Sequence, residues 1–396
     1  MNPWLGAFLF AGTLHAGGPW LLHQRLGLGL AARVRGGRGE VALTFDDGPD
    51  PATTPVVLEA LAEHGARATF FILGERAARH PELVRRLVAE GHDVALHGHR
   101  HRHPWLRTPR GLVGDLERGR RVLTELLGQP PRFFRPPHGG WTWPLLARVR
   151  ALGLVPVQWE VEAGDWLPGA TPEGVAAKVV GRVLPGSVVV MHDAGPGGRV
   201  SAAALRRLLP ELLARGYRPR PLSELRPVPI GWTELRPKLA APVERAFARA
   251  YRVEPAFYGA HSVFRLAPAA LPADTPEFPK GTPGAEIHMD SERMRRAGEG
   301  GSLAALRAAR ASMADLARAA EENPRFRSAR VFFGTSLFWE VLAPLGFKTA
   351  PLPPGYARRV GLWMYLLHRL YGGRRLRRVE ARLVYLSRHD LLARYR

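Results

Sequence analysis

The sequence predicts an α/β region followed by a smaller α+β region. Three observations carry that expectation. Short runs rich in β-branched and aromatic residues alternate with longer helix-like stretches from Gly36 to about Arg226. Polar residues of complementary type stand where those runs end, and the alternation stops at Arg226-Pro227-Val228-Pro229. Repeated strand-helix alternation implies a parallel sheet with crossovers, either open or closed into a barrel, and functional residues collect at the C-terminal strand ends of a barrel.

In chain order, the strand-like runs are Val41 to Phe45, Ala68 to Leu73, Asp93 to Leu96, Arg132 to Phe134, Leu154 to Trp159 and Val188 to Met191. Helical patterns fall at Thr53 to His64, Pro81 to Glu90, Leu112 to Leu127, Pro144 to Leu152, Pro172 to Leu184 and Ala202 to Arg215. Asp46 and Asp47 end the first strand, His97 the third and Arg135 the fourth. Asp165 lies in the loop after the fifth, and His192 ends the sixth. Beyond residue 227, strands at Ala256 to Leu266, Glu286 to Met289, Ala329 to Phe333 and Arg382 to Leu386 mix with helices at Leu303 to Glu322, Ser336 to Leu345 and Tyr356 to Tyr371. Glu286, His288 and Asp290 alternate along one strand face, as a second polar site or as the solvated face of an edge strand.

A chain of 396 residues exceeds one ordinary core and has room for two domains. With no cysteine, any metal must be held by His, Asp or Glu. The formal charge of +22 is almost all arginine and favours anionic partners. The same bias toward Arg, Ala, Leu, Gly and Pro is what a GC-rich genome produces. No aromatic-basic recognition motif accompanies it, so no specific nucleic-acid partner is expected. A basic-aromatic face from Trp363 to Arg378 would suit an anionic polymer or lipid surface, or form a solvated turn.

Residues 3–22 carry no charged side chain when His15 is neutral, a length that can span a bilayer. Gly17-Gly18-Pro19 would break such a helix, and no Lys or Arg precedes the run as in a secretory signal. Residues 1–35 are therefore expected to be a membrane-associating or weakly anchoring segment, with a helical hairpin packed on the second domain as the alternative. The expected location is membrane-associated or the cell envelope of a bacterial cell, on either side of the membrane.

The chemistry centres on Thr44-Phe45-Asp46-Asp47-Gly48-Pro49. Adjacent carboxylates in a cleft raise each other's pKa unless a cation or proton separates them. One of the pair would bind a metal and the other take a proton; alternatively the stretch is a surface turn. Downstream, His97 with His101 and His99 with His103 share i, i+4 spacing, so spacing alone does not choose between them. His97 directly follows the strand, which favours the first pair. Two imidazoles and Asp47 leave positions open on Zn²⁺, and the same donors also describe non-haem iron sites.

Thr-Phe-Asp-Asp-Gly-Pro at 44–49, His-x-x-x-His at 97–101, Arg-Pro-Pro-His-Gly at 135–139, Asp-Trp at 165–166 and Val-x-Val-x-His at 188–192 occur in this order. Together they resemble the five motifs of the polysaccharide deacetylase family, whose catalytic domain is the NodB homology domain. The resemblance covers about residues 36–226. It implies a distorted (β/α) barrel with fewer than eight complete units and metal-dependent hydrolysis of acetyl groups on carbohydrate polymers. It implies that Asp47, His97 and His101 hold one divalent metal, Zn²⁺ first, with Co²⁺ or another divalent ion as alternatives. Asp46 would be the general base paired with Arg135, and His192 the general acid oriented by Asp165. The backbone N–H of His138 would face the oxyanion, while Trp166 and Val190 would line a pocket for the acetyl methyl group.

Gly98 stands where many family members have Ser or Thr, and His138 where an aromatic is common. The expected substrate is an N-acetylated glycan: peptidoglycan, a chitin-like polymer or a lipid-linked sugar. The alternatives are a glycan-binding pseudoenzyme of the same fold and a basic protein that binds an anionic polymer or lipid surface. Residues 227–396 would be an α+β accessory domain. Its stretch from Phe338 to Phe347 is faintly similar to the last helix and turn of acyl-CoA N-acyltransferases.

Overall fold

The computed structural model describes residues 17–35, 39–256, 259–337, 339–370 and 380–396. The chain divides into two compact units, Met1–Gly231 and Trp232–Arg396.

The strands of the first unit are β1 (Ala31–Val34), β2 (Glu40–Asp46), β3 (Thr69–Ile72), β4 (Asp93–Leu96), β5 (Phe133–Phe134), β6 (Val155–Pro156), β7 (Val161–Glu162), β8 (Val188–His192), β9 (Arg218–Pro219) and β10 (Pro227–Pro229). Seven of them form a sheet in the order β6-β5-β4-β3-β2-β8-β7, and β9 pairs with the start of β2. Every pairing in that sheet is parallel. The sheet curls, and β1 lies along the opening. Its Ala31 carbonyl accepts from Gln158 N at 3.0 Å on one side, and Val34 N donates to Gly186 O at 2.8 Å on the other.

Curling gives the sheet an inner and an outer face, and residues two apart share a face. Ala42, Phe71, Ala95, Phe133, Val157 and Val188 meet inside in one buried cluster. One step further along the same faces stand Thr44, His97, Arg135 and Val190, and a second step reaches Asp46 and His192. The strand period alone therefore delivers these side chains to the C-terminal mouth.

Helices α1 (Thr54–Ala62), α2 (Gly74–Arg79), α3 (Pro81–Ala89), α4 (Pro109–Leu127), α5 (Trp143–Ala151), α6 (Pro172–Val180) and α7 (Gly195–Ala214) connect the strands. A threonine caps three of them: Thr108, Thr142 and Thr171 each accept from a backbone N–H in the first turn, with a proline at N1 or N2. A proline there gives up an N–H that the helix could not have used. On α7, Leu205, Leu208, Leu209 and Leu212 are fully buried, each contributing about 1.5–3 kcal/mol.

The expected strand Leu154 to Trp159 is corrected to β6, because Gln158 bonds to β1 and leaves the sheet. The short elements β1, α2 and β7 were not anticipated. Of the apolar N-terminal segment, residues 3–16 lie outside the described residues. Trp20–Arg25 form a π-helical turn. His23 packs edge-on against Trp143 at 4.8 Å, and Gln24 Nε2 donates to His138 O at 3.2 Å. Both contacts are with residues of the first unit. Among the described residues, no helix is long and apolar enough to cross a membrane.

In the second unit, β11 (Glu254–Pro255), β12 (Phe264–Ala270), β13 (Pro283–Met289), β14 (Val331–Ser336), β15 (Lys348–Ala350) and β16 (Arg382–Ser387) form a sheet in the order β11-β12-β13-β14-β16-β15. Only β13 and β14 run parallel. The helices are α8 (Trp232–Ala250), α9 (Ser291–Ala297), α10 (Ser302–Glu322), α11 (Trp339–Leu342), α12 (Pro354–Leu370) and α13 (Arg388–Tyr395). Helices α10 and α13 bury one sheet face, with Met313, Leu316 and Leu391 against Phe332 and Leu386. Val331, Phe333, Leu383 and Tyr385 cluster on the other face, where Ala357 of α12 packs.

Two expectations are corrected here. The strand expected from Ala256 begins only at Phe264, and β13 is an interior strand rather than an edge. Of the expected basic-aromatic face, residues 371–379 lie outside the described residues.

Candidate active site and metal centre

Asp46 and Asp47 reach one mouth because the backbone turns over between them. Asp47 has φ 79°, in the left-handed region that aspartate tolerates better than most residues. Asp193 holds that turn. Its Oδ1 accepts from Gly48 N at 3.0 Å, its Oδ2 from Thr54 Oγ1 at 2.7 Å, and its carbonyl from Thr53 Oγ1 at 2.6 Å. Burial lifts the Asp193 carboxyl to about 7, although the bonds from Thr54 and Gly48 favour its anion.

One ligand atom from each of Asp47, His97 and His101 lies within 4.8 Å of the others. His97 Nε2 is 3.3 Å and His101 Nε2 3.1 Å from Asp47 Oδ1. His97 Nδ1 sits 2.8 Å from the Arg135 carbonyl oxygen, which can only accept. Nδ1 therefore carries a hydrogen, and in the neutral ring Nε2 is the nitrogen left with a lone pair on the Asp47 side. Burial would raise the Asp47 carboxyl, but His101 and His97 hold it well below the usual carboxylate range. Its buried Oδ1 has no partner in hydrogen-bond geometry despite both nearby nitrogens. Lone pairs converging on a common point fit a divalent cation, and open His₂Asp sets are a Zn²⁺ arrangement.

His99 and His103, the alternative pair, do not gather with Asp47: the three-ligand cluster found among the described residues is Asp47, His97 and His101, and the buried His99 Nδ1 has no hydrogen-bond partner. The backbone N–H of His99 donates to Asp115, and His103 Nδ1 accepts from Trp105 N at 3.3 Å.

Arg135 is completely buried. It donates to Asp46 Oδ1 at 2.7 Å, Thr44 Oγ1 at 2.8 Å and Gln158 O at 3.2 Å. A buried guanidinium is stable only with such partners. His192, the register partner of Asp46 on β8, has its Nδ1 3.2 Å from Asp165. Asp165 also accepts from His192 N at 2.7 Å and Ser201 Oγ at 2.6 Å, so its orientation is fixed. Burial opposes protonation of His192, but Asp165 first, then Asp46 and Asp47, lift its pKa to about 9.

Trp166 stands at the rim, 38% exposed and edge-on to His192 at 4.7 Å. Val190 is buried one inward position below His192. His138 adopts φ 57° in a three-residue turn, with its ring 4.4 Å from His101 and 4.9 Å from His103. Burial, then His101 and His103, press its pKa down to about 4.

Comparison with known proteins identifies relatives of the first unit. Residues 33–157 match the family model for polysaccharide deacetylase. A chitooligosaccharide deacetylase from Bradyrhizobium sp. (strain ANU 289) is 37% identical over 202 residues, covering 48% of this chain and 91% of the relative. The chain belongs to the polysaccharide deacetylase family. A peptidoglycan-N-acetylglucosamine deacetylase of Bacillus cereus is 36% identical over 183 residues, 46% of this chain and 66% of that one. Among solved structures, a family 4 carbohydrate esterase from Streptomyces lividans in complex with acetate is similar at 33% identity, covering 49% of this chain and 98% of that one, with a TM-score of 0.44. Residues 243–395 match the YkoP domain, a relationship the sequence reading did not reach.

In this polysaccharide deacetylase family member, Gly98 removes the side-chain hydroxyl expected after the first metal-type histidine. Asp115 on α4 grips the loop instead. It accepts from His99 N at 2.8 Å and Arg100 N at 3.4 Å, and it pairs with Arg107 at 2.9 Å. Glycines then bring α4 against the loop backbone. A methyl group on Gly119 would meet the Gly98 carbonyl oxygen at 2.6 Å, and one on Gly74 would meet Gly119 Cα at 2.8 Å. Asp115 gave no sequence signal, being one aspartate inside a helix. Asp193 gave a weak one, as a second polar residue after an apolar strand.

Proposed function

We propose that the first unit is a metal-dependent deacetylase that removes N-acetyl groups from an amino-sugar glycan of the cell envelope. The reading is carried by two oriented pairs, Arg135–Asp46 and Asp165–His192, flanking the Asp47–His97–His101 cluster. Binding a sugar requires no such acid-base pairs, which argues against a pseudoenzyme. The names of the relatives, which act on chitooligosaccharide or peptidoglycan N-acetylglucosamine, support the substrate class.

When bound to Asp47, His97 and His101, Zn²⁺ or Co²⁺ would polarise the acetyl carbonyl and acidify a neighbouring water. Asp46 takes the proton from the attacking water, with Arg135 keeping it ionised and aimed. His192, protonated at neutral pH, gives its proton to the sugar nitrogen as the C–N bond breaks. Acetate and the free amine leave. Asp165 fixes the imidazole and favours its charged form. The backbone N–H of His138 faces the oxygen that gains charge, and Trp166 and Val190 enclose the methyl group.

The test is acetate release from N-acetylated chitooligosaccharides and peptidoglycan fragments, with Zn²⁺ and with chelator. Release that needs the cation and disappears in Asp46→Asn supports the reading. Cation binding without release from any glycan sinks it.

A further inference from the structure

The second unit carries a cluster of polar side chains that the deacetylase chemistry does not use. On β13, Glu286 and His288 share a face, and Asp290 leaves the row. Asp290 pairs with Arg265 and caps α9 by accepting from Arg293 N at 2.8 Å. The remaining two face a sheet surface that is apolar further along, at Val331 and Phe333. Thr335 follows on the same face of β14, and its side chain is hydrogen-bonded to the Tyr356 phenol of α12. Phe247 of α8 sets its ring edge-on to His288 at 5.7 Å and stacks on Tyr251 at 4.4 Å. Tyr251 is 60% exposed.

Two groups in this cluster make no hydrogen bond. The buried Nε2 of His288 makes no hydrogen bond, since Glu286 stands 3.6 Å away, beyond hydrogen-bond reach. Among the described residues, no lysine or arginine comes within ion-pair distance of Glu286. Burial accordingly raises the Glu286 carboxyl and lowers His288 to about 4, with Arg265 adding to the latter. Perturbed, half-buried polar groups beside exposed aromatic rings mark a ligand site.

The ligand must offer hydrogen-bond donors, a cation for the carboxyl, and an apolar or cationic face for the rings. Phosphate and nucleic acid fail, because the carboxyl repels them. An amino-sugar ring combines an ammonium, hydroxyls and a C–H face. We infer that Glu286, His288, Thr335 and Tyr356, with Phe247 and Tyr251 alongside, form a binding site for a de-N-acetylated amino-sugar residue. The inference rests on the deacetylase reading for its source of ligand, since such a sugar is the product of that reaction.

The test is calorimetric titration of the full chain with a β-1,4-linked glucosamine tetramer and with its N-acetylated counterpart. The expected result is glucosamine binding about tenfold or more tighter than that of the N-acetylated form, weakened about tenfold or more by Glu286→Gln. Tyr251→Ala, on the open surface, should weaken it too and guards against misfolding of the buried variant. Binding must survive His101→Ala, which removes it from the first unit's site. No binding at millimolar ligand, equal affinity for both tetramers, or affinity untouched in Glu286→Gln and Tyr251→Ala overturns the inference. Acetate release is measured separately: glucosamine binding without deacetylation leaves the site standing and removes only the proposed reaction.

Discussion

His192 and His288 are both largely buried imidazoles near the end of a strand, and their surroundings shift their pKa values in opposite directions. His192 is lifted to about 9, whereas His288 is pressed down to about 4. Burial opposes the charged form at both. The partners differ. Asp165 is already anchored by Ser201 and the His192 backbone, so it offers a fixed anion. Glu286 is itself driven toward the neutral acid by burial. A protonated imidazole at neutral pH thus needs a counter-ion that other groups have first made secure. The first unit builds that hierarchy at Asp46 and Asp165; the second leaves Glu286 and His288 for a ligand to complete.

The strongest way to break this contrast is Asp46→Asn. It should lower kcat by about 10²–10⁴-fold with metal affinity retained, as measured by acetate release and Co²⁺ titration. A smaller loss would mean that another group takes the proton. Next comes the alkaline limb. Activity should fall as pH rises through about 9, where His192 loses its proton. Asp165→Asn should move that limb down by about 1–3 pH units, visible in the pH–rate profile. The linked stability has a definite sign: the folded value exceeds 6.5, so the contribution is complete below about pH 6.5 and is lost as pH climbs through about 9.

Asp115→Ala should weaken metal binding by about 10–100-fold while circular dichroism stays unchanged. Undiminished affinity would show that the loop holds its own shape. Asp193→Ala strands the Gly48 N–H, and denaturant unfolding should report a loss of about 1–3 kcal/mol. The smallest signal is at His288, pressed down to about 4, whose ring resonances should stay nearly fixed from about pH 6 to 8.

Much of the first unit was legible because the strand period and the strand-end polar residues point the same way. Asp46, His97, Arg135 and His192 follow Thr44, Ala95, Phe133 and Val190 by two residues, so sequence order implied a shared mouth. What was hidden had no period to show. β7 has two residues and α2 has six. Helix α8 contains Pro237 and Pro242, which disguise it. Asp115 and Ser201 act through hydrogen bonds to residues far along the chain, and such contacts leave no local pattern. In the second unit most element types were readable, but not the order of strands. The parallel β13–β14 contact, which makes β13 interior, is a long-range pairing that local sequence does not encode.

The glycine seam behind the histidine loop has a practical consequence. Gly119 lies on a helix that donates no group to the chemistry, yet any side chain there must push the Gly98 carbonyl away. A random screen for clones that lose the metal should therefore recover hits at residue 119. Anyone grafting the His97–His101 loop onto another scaffold would have to carry this stretch of helix with it, as a mould for the loop.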